Sequence, residues 1–395
     1  MDAAELAARS GVTVEDVEHL LALGILIPQA GVFVDSDISR VRLVAALRDS
    51  GIPTEDLARG VSERVLSLAF VEQSLARPVG LLGTTYRELA DRIGLDGETY
   101  ERIRTALGLS PAVDDQPARE DDAELLRLLS LAVGFGVTGE QSARAIRIFR
   151  DSLTRIAEFE RELWATDIEA PLLAEGLSVG EMVERSNAMA IPLQELSDQT
   201  IRLLHGRALE TVVFANQVDR LEEALDEAGI RRRGGRDAAI AFMDLSGYTR
   251  LTEESGDVAA ADLSRRLAEL VHDAAIDHDG RVVKMLGDGV MFHLRDPARA
   301  AVAGLELVER ARDAGLPPAR VGVNAGPVVV RDGDYFGRTV NVAARVVDKA
   351  GPTQVLTTAH VVEATATGGV GFTDAGTFEL KGVAEPVPLF LASRS

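Results

Sequence analysis

RVVKMLGDGVMFHL, residues 281–294, places a β-rich run on each side of Gly-Asp-Gly. Valine and phenylalanine suit a pleated surface, and Asp-Gly is a favoured hairpin turn, so the spacing predicts a strand, a tight turn and a second strand. Comparable short runs lie around it: AIAFMD ending at Asp244, RVGVNAGPVVV from Arg320 and QVLTT from Gln354. Stretches with helical spacing, 257–276 and 297–314, alternate with them. That mixture predicts an α+β or α/β domain of about 160 residues.

Upstream the period changes. RRRGGR, 231–236, sets a glycine pair among like charges, poor material for helix or strand, and marks a domain boundary. From 123 to about 228 apolar residues recur at three and four, predicting helices without strands. Phe214, Val218, Leu221, Leu225 and Ala228 are spaced as a short coiled-coil seam, or as the buried stripe of an ordinary amphipathic helix. GFGVTG, 134–139, matches a dinucleotide fingerprint by letter, but it follows a leucine-rich helix rather than a strand, so it is read as an interhelical loop. Residues 1–110 predict short capped helices, with Thr13, Ser36 or Asp37, and Thr54 as starts. PAVDDQPAREDD, 111–122, reads as a linker.

Composition narrows the function. In 395 residues, 42 Lys and Arg stand against 63 Asp and Glu, a net charge of −21 that opposes indiscriminate binding to phosphate backbones. Absence of cysteine excludes disulfides, thiolate metal sites and cysteine nucleophiles. The acidic start MDAAELAARSG lacks a signal-peptide core, and no apolar run approaches the roughly 18 residues of a membrane span, so the expectation is a soluble cytoplasmic protein.

Several side chains suggest chemistry. Asp244 and Asp288 both sit at expected strand ends beside turns that contain glycine, giving hard oxygen ligands and backbone clearance, as a two-magnesium site needs. Taken singly, either could be a helix cap or a turn residue. Only three residues are lysine, Lys284, Lys349 and Lys381, against 39 arginines, and Lys284 lies four before Asp288. Asn341 and Arg345 are four apart and would share a helix face.

Five segments in order, AFMDLSGYT (241–249), VVKMLGDGVMF (282–292), RVGVNAGPV (320–328), DYFGRTVNVAAR (334–345) and FELKGVAEPV (378–387), resemble the successive signatures of class III nucleotidyl cyclases. The resemblance spans about 237–395 and implies a ferredoxin-like βαββαβ core active as a head-to-tail homodimer. It implies that Asp244 and Asp288 hold two Mg²⁺ or Mn²⁺ ions and that Lys284 and Asp334 select the purine. Asn341 and Arg345 would orient the ribose and stabilise the transferring α-phosphate, and Lys381 would contact the β- or γ-phosphate. An ammonium paired with a carboxylate matches adenine, so ATP is the implied substrate. Tyr248 stands where the family usually has Phe, and Leu286 where Ile is commoner.

AELAARSGVTVEDVEHLLALGIL (4–26) and DSDISRVRLVAALRDSGIPTEDL (35–57) resemble the winged-helix head of MerR-type regulators. DNA binding is nevertheless not expected, because the would-be recognition helix 13–23 carries Glu15, Asp16 and Glu18 without Lys or Arg. The all-α N-terminal half, a helical region followed by a linker helix at 200–228, is expected to restrain the catalytic half. His205 on that helix makes acidification a candidate signal, beside an apolar small molecule. Two other readings are a transcription regulator that only senses nucleotide and a cyclase-fold partner without catalysis. The retention of Asp244, Asp288, Asn341 and Arg345 favours the enzyme.

Overall fold

The computed structural model describes residues 1–395 except 30, 64, 69–78, 231–237, 249–255, 366–368 and 395, so the stretch RRRGGR lies outside the described residues. The chain divides into two compact units, Met1–Val213 and Phe214–Ser395.

The first unit begins with α1 (Ala3–Ser10), α2 (Val14–Ala22), α3 (Asp35–Asp49) and α4 (Thr54–Ser62). Asp2 caps α1, Gly11 ends it in the left-handed region at φ +75°, and Thr13 forms a reciprocal capping box with Asp16. Leu6, Val17, Ile38 and Val41, each at most 1 % exposed, form the core of these helices. Two starts differ from expectation. Val34 is the cap of α3, its N–H donating to Asp37 at 2.9 Å, and Thr54 is already the first helical residue of α4, after Pro53.

The strand β1 (Leu81–Thr85) precedes α5 (Tyr86–Ile93) and α6 (Gly97–Leu107), and pairs antiparallel with β2 (Pro117–Arg119). Residues 111–122 are therefore folded rather than a linker, and the first 110 residues are not wholly helical. Ala118 is fully buried, and Glu120 accepts from the Gly80 N–H at 3.1 Å and from Arg9 at 2.9 Å. Proline and acidic residues resemble a solvated connector in composition, but long-range pairing supplies the missing hydrogen-bond partners.

GFGVTG is the connection between α7 (Glu120–Gly134) and α8 (Gly139–Leu163), with Gly136 at φ +91° and Thr138 capping α8. A π-turn at Trp164–Glu169 and the short α9 (Ala170–Ala174) lead into α10 (Val179–Glu227), which contains Pro192 and includes nearly all of the expected linker helix. The boundary between the units falls inside α10. Within the second unit Phe214 is 71 % and Leu221 64 % exposed, so the spaced apolar residues are not an internal core stripe.

The second unit runs β3 (Ala239–Leu245), α11 (Asp257–Asp277), β4 (Gly280–Leu286), β5 (Gly289–Leu294), α12 (Pro297–Asp313) and β6 (Ala319–Ala325), which is βαββαβ. The hairpin β7 (Val329–Arg331) and β8 (Asp334–Phe336) follows, then α13 (Arg338–Lys349), β9 (Val355–Thr358), α14 (Ala359–Ala364), β10 (Val370–Phe378) and β11 (Val387–Arg394). Seven strands form one sheet in the order β10-β11-β9-β6-β3-β5-β4, so the first four strands of the unit have the ferredoxin-like arrangement. One face buries Met243, Val290 and Phe292 with Leu267 and Val271 of α11 and Leu307 of α12. The other buries Ile240, Phe242 and Met291 with Ala343 and Val347 of α13.

A glycine sets how closely α13 approaches. A Cβ at Gly322 would lie 2.2 Å from the Val347 nitrogen, so the helix backbone rests directly on β6. Asn324, buried two residues on, donates to the Thr339 carbonyl at 2.9 Å and accepts from the Thr358 hydroxyl at 2.7 Å, pinning the first turn of α13. Gly322→Val should lift that helix and destabilise the unit by roughly 2 kcal/mol, read as a lower melting temperature.

His293 of β5 stacks on Tyr335 with ring centroids 4.6 Å apart. Burial, then the neighbouring Arg281 and Arg295 charges, push its pKa down to about 4, with Asp219 acting in the opposite sense. The unfolded imidazole takes its proton near pH 6.5, so stability is highest above that pH and is lost as pH falls towards 4. The loss should be on the order of 3 kcal/mol, and His293→Gln should flatten the dependence of the urea midpoint on pH in this range.

Candidate active site

Strand pairing alone brings the two candidate metal carboxylates together. Asp244, near the end of β3, is opposite Gly289 of β5, and the Leu245 N–H donates to the Asp288 carbonyl at 3.2 Å. Asp288 occupies the expected Gly-Asp-Gly turn, which Gly287 closes at φ +71°. A Cβ on Gly289 would lie 3.2 Å from the Met243 carbonyl oxygen, so the glycine leaves room for the strands to meet.

The electrostatics follow from that proximity. Burial raises the pKa of the Asp288 carboxyl, and the Asp244 charge raises it further, while Arg320 lowers it. Arg320, across the β3–β6 ladder from Asp244, donates from Nε to its Oδ2 at 2.7 Å and forms a second contact through Nη2. This guanidinium was not among the residues singled out from sequence. Antiparallel pairing of AIAFMD with RVGVNA would have placed it opposite Asp244, but the partner strand and register are not written in either segment.

The second cluster joins β4 to the β7–β8 hairpin. Lys284 Nζ donates to Asp334 Oδ2 at 2.6 Å, with the two side chains 40 % and 29 % exposed. Burial raises the Asp334 pKa, but its bonds from Lys284 and the Tyr335 N–H outweigh that and leave it below the ordinary value. Asp334 is thus ionised at neutral pH.

The remaining candidates stand elsewhere in the chain. Asn341 and Arg345 lie on one exposed side of α13, opposite the buried Val342, Ala343, Val346 and Val347. Arg345 donates to Asp348 at 3.2 Å. Lys381 is exposed in the β10–β11 turn, which Gly382 closes at φ +81°. The register puts Asp244 level with Arg320, the next residue Val321 beside Val355 of the parallel β9, and the C-terminal part of β11 beyond it. The Lys381 turn therefore lies at the opposite end of the sheet from Asp244. Among the described residues, no three His, Asp or Glu side chains converge as a metal cluster. No helix among them is long and apolar enough to cross a membrane.

Comparison with known proteins agrees with this arrangement. Residues 232–393 match the adenylate and guanylate cyclase catalytic domain, and residues 3–208, including the segment with MerR-like spacing, match the adenylate cyclase regulatory domain. A pH-sensitive adenylate cyclase of Mycobacterium tuberculosis is 31 % identical over 290 residues, 71 % of each chain. An adenylate cyclase of Streptomyces coelicolor is 31 % identical over 60 % of each. The crystal structure of the adenylyl cyclase CyaB from P. aeruginosa is 24 % identical, covers 40 % of this chain and 94 % of its own, and aligns with a TM-score of 0.35. With a regulatory domain in its helical half and a cyclase domain in its mixed-sheet half, the chain belongs to the class III adenylate cyclases.

Proposed function

We propose that the protein is a homodimer converting ATP to 3′,5′-cyclic AMP and pyrophosphate at two sites, each built from both chains. The observation that carries this reading is the division of the candidate residues. Asp244, Asp288 and Arg320 gather at one end of the sheet, while Asn341, Arg345 and Lys381 are displayed elsewhere with exposed side chains. A second copy related by a twofold axis would supply the missing set to each site, since an isologous interface repeats every contact.

The donor set fits Mg²⁺ or Mn²⁺: two carboxylates held close enough for one to raise the other's pKa, with oxygen ligands only. Two such ions, when bound, lower the pKa of the ribose 3′-hydroxyl and neutralise the triphosphate. In this reading Lys284 donates to the adenine ring acceptor and Asp334 accepts from the 6-amino group; guanine offers the reverse polarity at that edge. Asn341 orients the ribose, and Arg345 stabilises charge on the α-phosphate as the 3′-oxygen bonds to phosphorus and the bond to the departing pyrophosphate oxygen breaks. Arg320, already beside the carboxylates, and Lys381 are suited to the β- and γ-phosphates.

Cyclic AMP formation from Mn²⁺-ATP by the full chain should fall by at least about a hundredfold in Asp288→Ala and in Arg345→Ala. Mixing the two inactive variants should restore about a quarter of wild-type activity, because half of the dimers are mixed and each retains one intact site. No recovery on mixing would count against a site shared between chains.

The regulatory reading is that the N-terminal half restrains catalysis and releases it on acidification. Support comes from the match to an adenylate cyclase regulatory domain, from a relative named as pH-sensitive, and from the exposed His205 on α10, with Arg202 one turn before it. The ratio of full-length to 231–395 fragment activity should be below one and change between about pH 5.5 and 8. A flat ratio would remove protons as the signal.

A further inference from the structure

Asp334 sits on a two-stranded hairpin of three residues per strand, outside the seven-stranded sheet. So short a hairpin is marginal alone, and a partly exposed ion pair such as Lys284–Asp334 contributes too little to fix it. Other contacts hold it.

They depend on an irregularity in β4. Regular alternation would put Arg281 and Lys284, three residues apart, on opposite faces of the sheet. The register shifts between Val282 and Lys284, so Arg281 stands opposite His293 and Lys284 opposite Met291. His293 and Met291, two apart on β5, share a face, so the extra residue turns Arg281 and Lys284 the same way. Both then meet the hairpin. Arg281 donates to the Gly333 carbonyl at 2.9 Å, immediately before Asp334, and its guanidinium carbon lies 5.1 Å from the Tyr335 ring centroid, immediately after it. The Tyr335 ring also stacks on His293 at an interplanar angle of 16°.

We propose that Arg281 and Tyr335 are positioning residues for base selection, gripping the backbone on both sides of Asp334 so that its carboxylate stays in register with Lys284. The proposal rests on reading Lys284 and Asp334 as the purine-selecting pair. A cation over an aromatic ring and a stacked imidazole form a stiff support, whereas the carboxylate alone could turn to accept from a guanine N–H. The ratio of kcat/KM for ATP to that for GTP therefore reports on the support, and a purely structural role would lower both substrates alike.

The test uses the full chain with Mn²⁺-ATP and Mn²⁺-GTP. Arg281→Gln, at an exposed position, should lower the ATP:GTP ratio about tenfold, mainly through KM for ATP, while the melting temperature stays near wild type. Tyr335→Leu should lower the ratio similarly. Tyr335→Phe, which keeps a ring between Arg281 and His293, should retain more of it. An unchanged ratio in Arg281→Gln overturns the proposal, whatever the fate of the buried Tyr335 variants, and so does equal loss in Tyr335→Phe and Tyr335→Leu. Lys284→Gln separates the two levels of argument. A ratio that falls there but not in Arg281→Gln leaves the purine pair standing without this support; a ratio unmoved by Lys284→Gln removes the purine pair itself.

Discussion

Two carboxylates held at neighbouring strand ends repel each other, and the C-terminal half is arranged around that repulsion. Asp244 and Asp288 are brought together by β3–β5 pairing, which is fixed by buried Ile240, Phe242, Met291 and Phe292 and cannot relax without exposing them. Burial first, and then the Asp244 charge, raises the pKa of Asp288. Arg320 partly offsets it from the opposite neighbour of β3. The proposed metal and polyphosphate roles rest on this cluster of two carboxylates and a guanidinium at the strand ends.

The face of the sheet covered by α13 solves a packing problem. Gly322 lets α13 lie directly on β6, and the buried Asn324 holds its first turn, so Asn341 and Arg345 point outward in a fixed direction. In the proposed shared site these groups would meet a phosphate held by another chain, where an ångström of looseness weakens charge stabilisation. The bulge in β4 serves a comparable purpose for Lys284. In both cases a local departure, a missing side chain or an extra residue, sets the direction of a candidate side chain that regular geometry would point elsewhere.

The helical half obeys simpler rules. Its short helices start and stop at residues whose side chains or φ angles satisfy the free backbone groups, as at Asp2, Thr13, Gly11 and Thr138. Its less regular part, 81–119, is closed by β1–β2 pairing and by Glu120, which links the Gly80 backbone to Arg9. Among the described residues, Leu203 and Leu204 of the first unit and Phe214 and Leu221 of the second are exposed along α10.

The order of elements in the C-terminal half was legible in the sequence because strand alternation, Asp-Gly turns and helical spacing are local properties. Asp244 and Asp288 stood out at strand ends beside glycine-containing turns, Lys284 as one of three lysines, and Asn341 and Arg345 by their four-residue spacing, whereas Asp334 was implied only by the resemblance to the nucleotidyl cyclases. The helical loop at 134–139 was likewise separable from a cofactor site by the helix before it. What the sequence could not show depends on which strand lies beside which. Arg320 gains its meaning only from lying across from Asp244, and Arg281 only from a register shift that points it at Tyr335. Residues 111–122 carry the composition of a connector yet fold, because their hydrogen-bond partners lie some thirty to forty residues earlier in the chain. Chain-local chemistry determined the elements and their reactive side chains; long-range pairing, which no local pattern encodes, decided their partners.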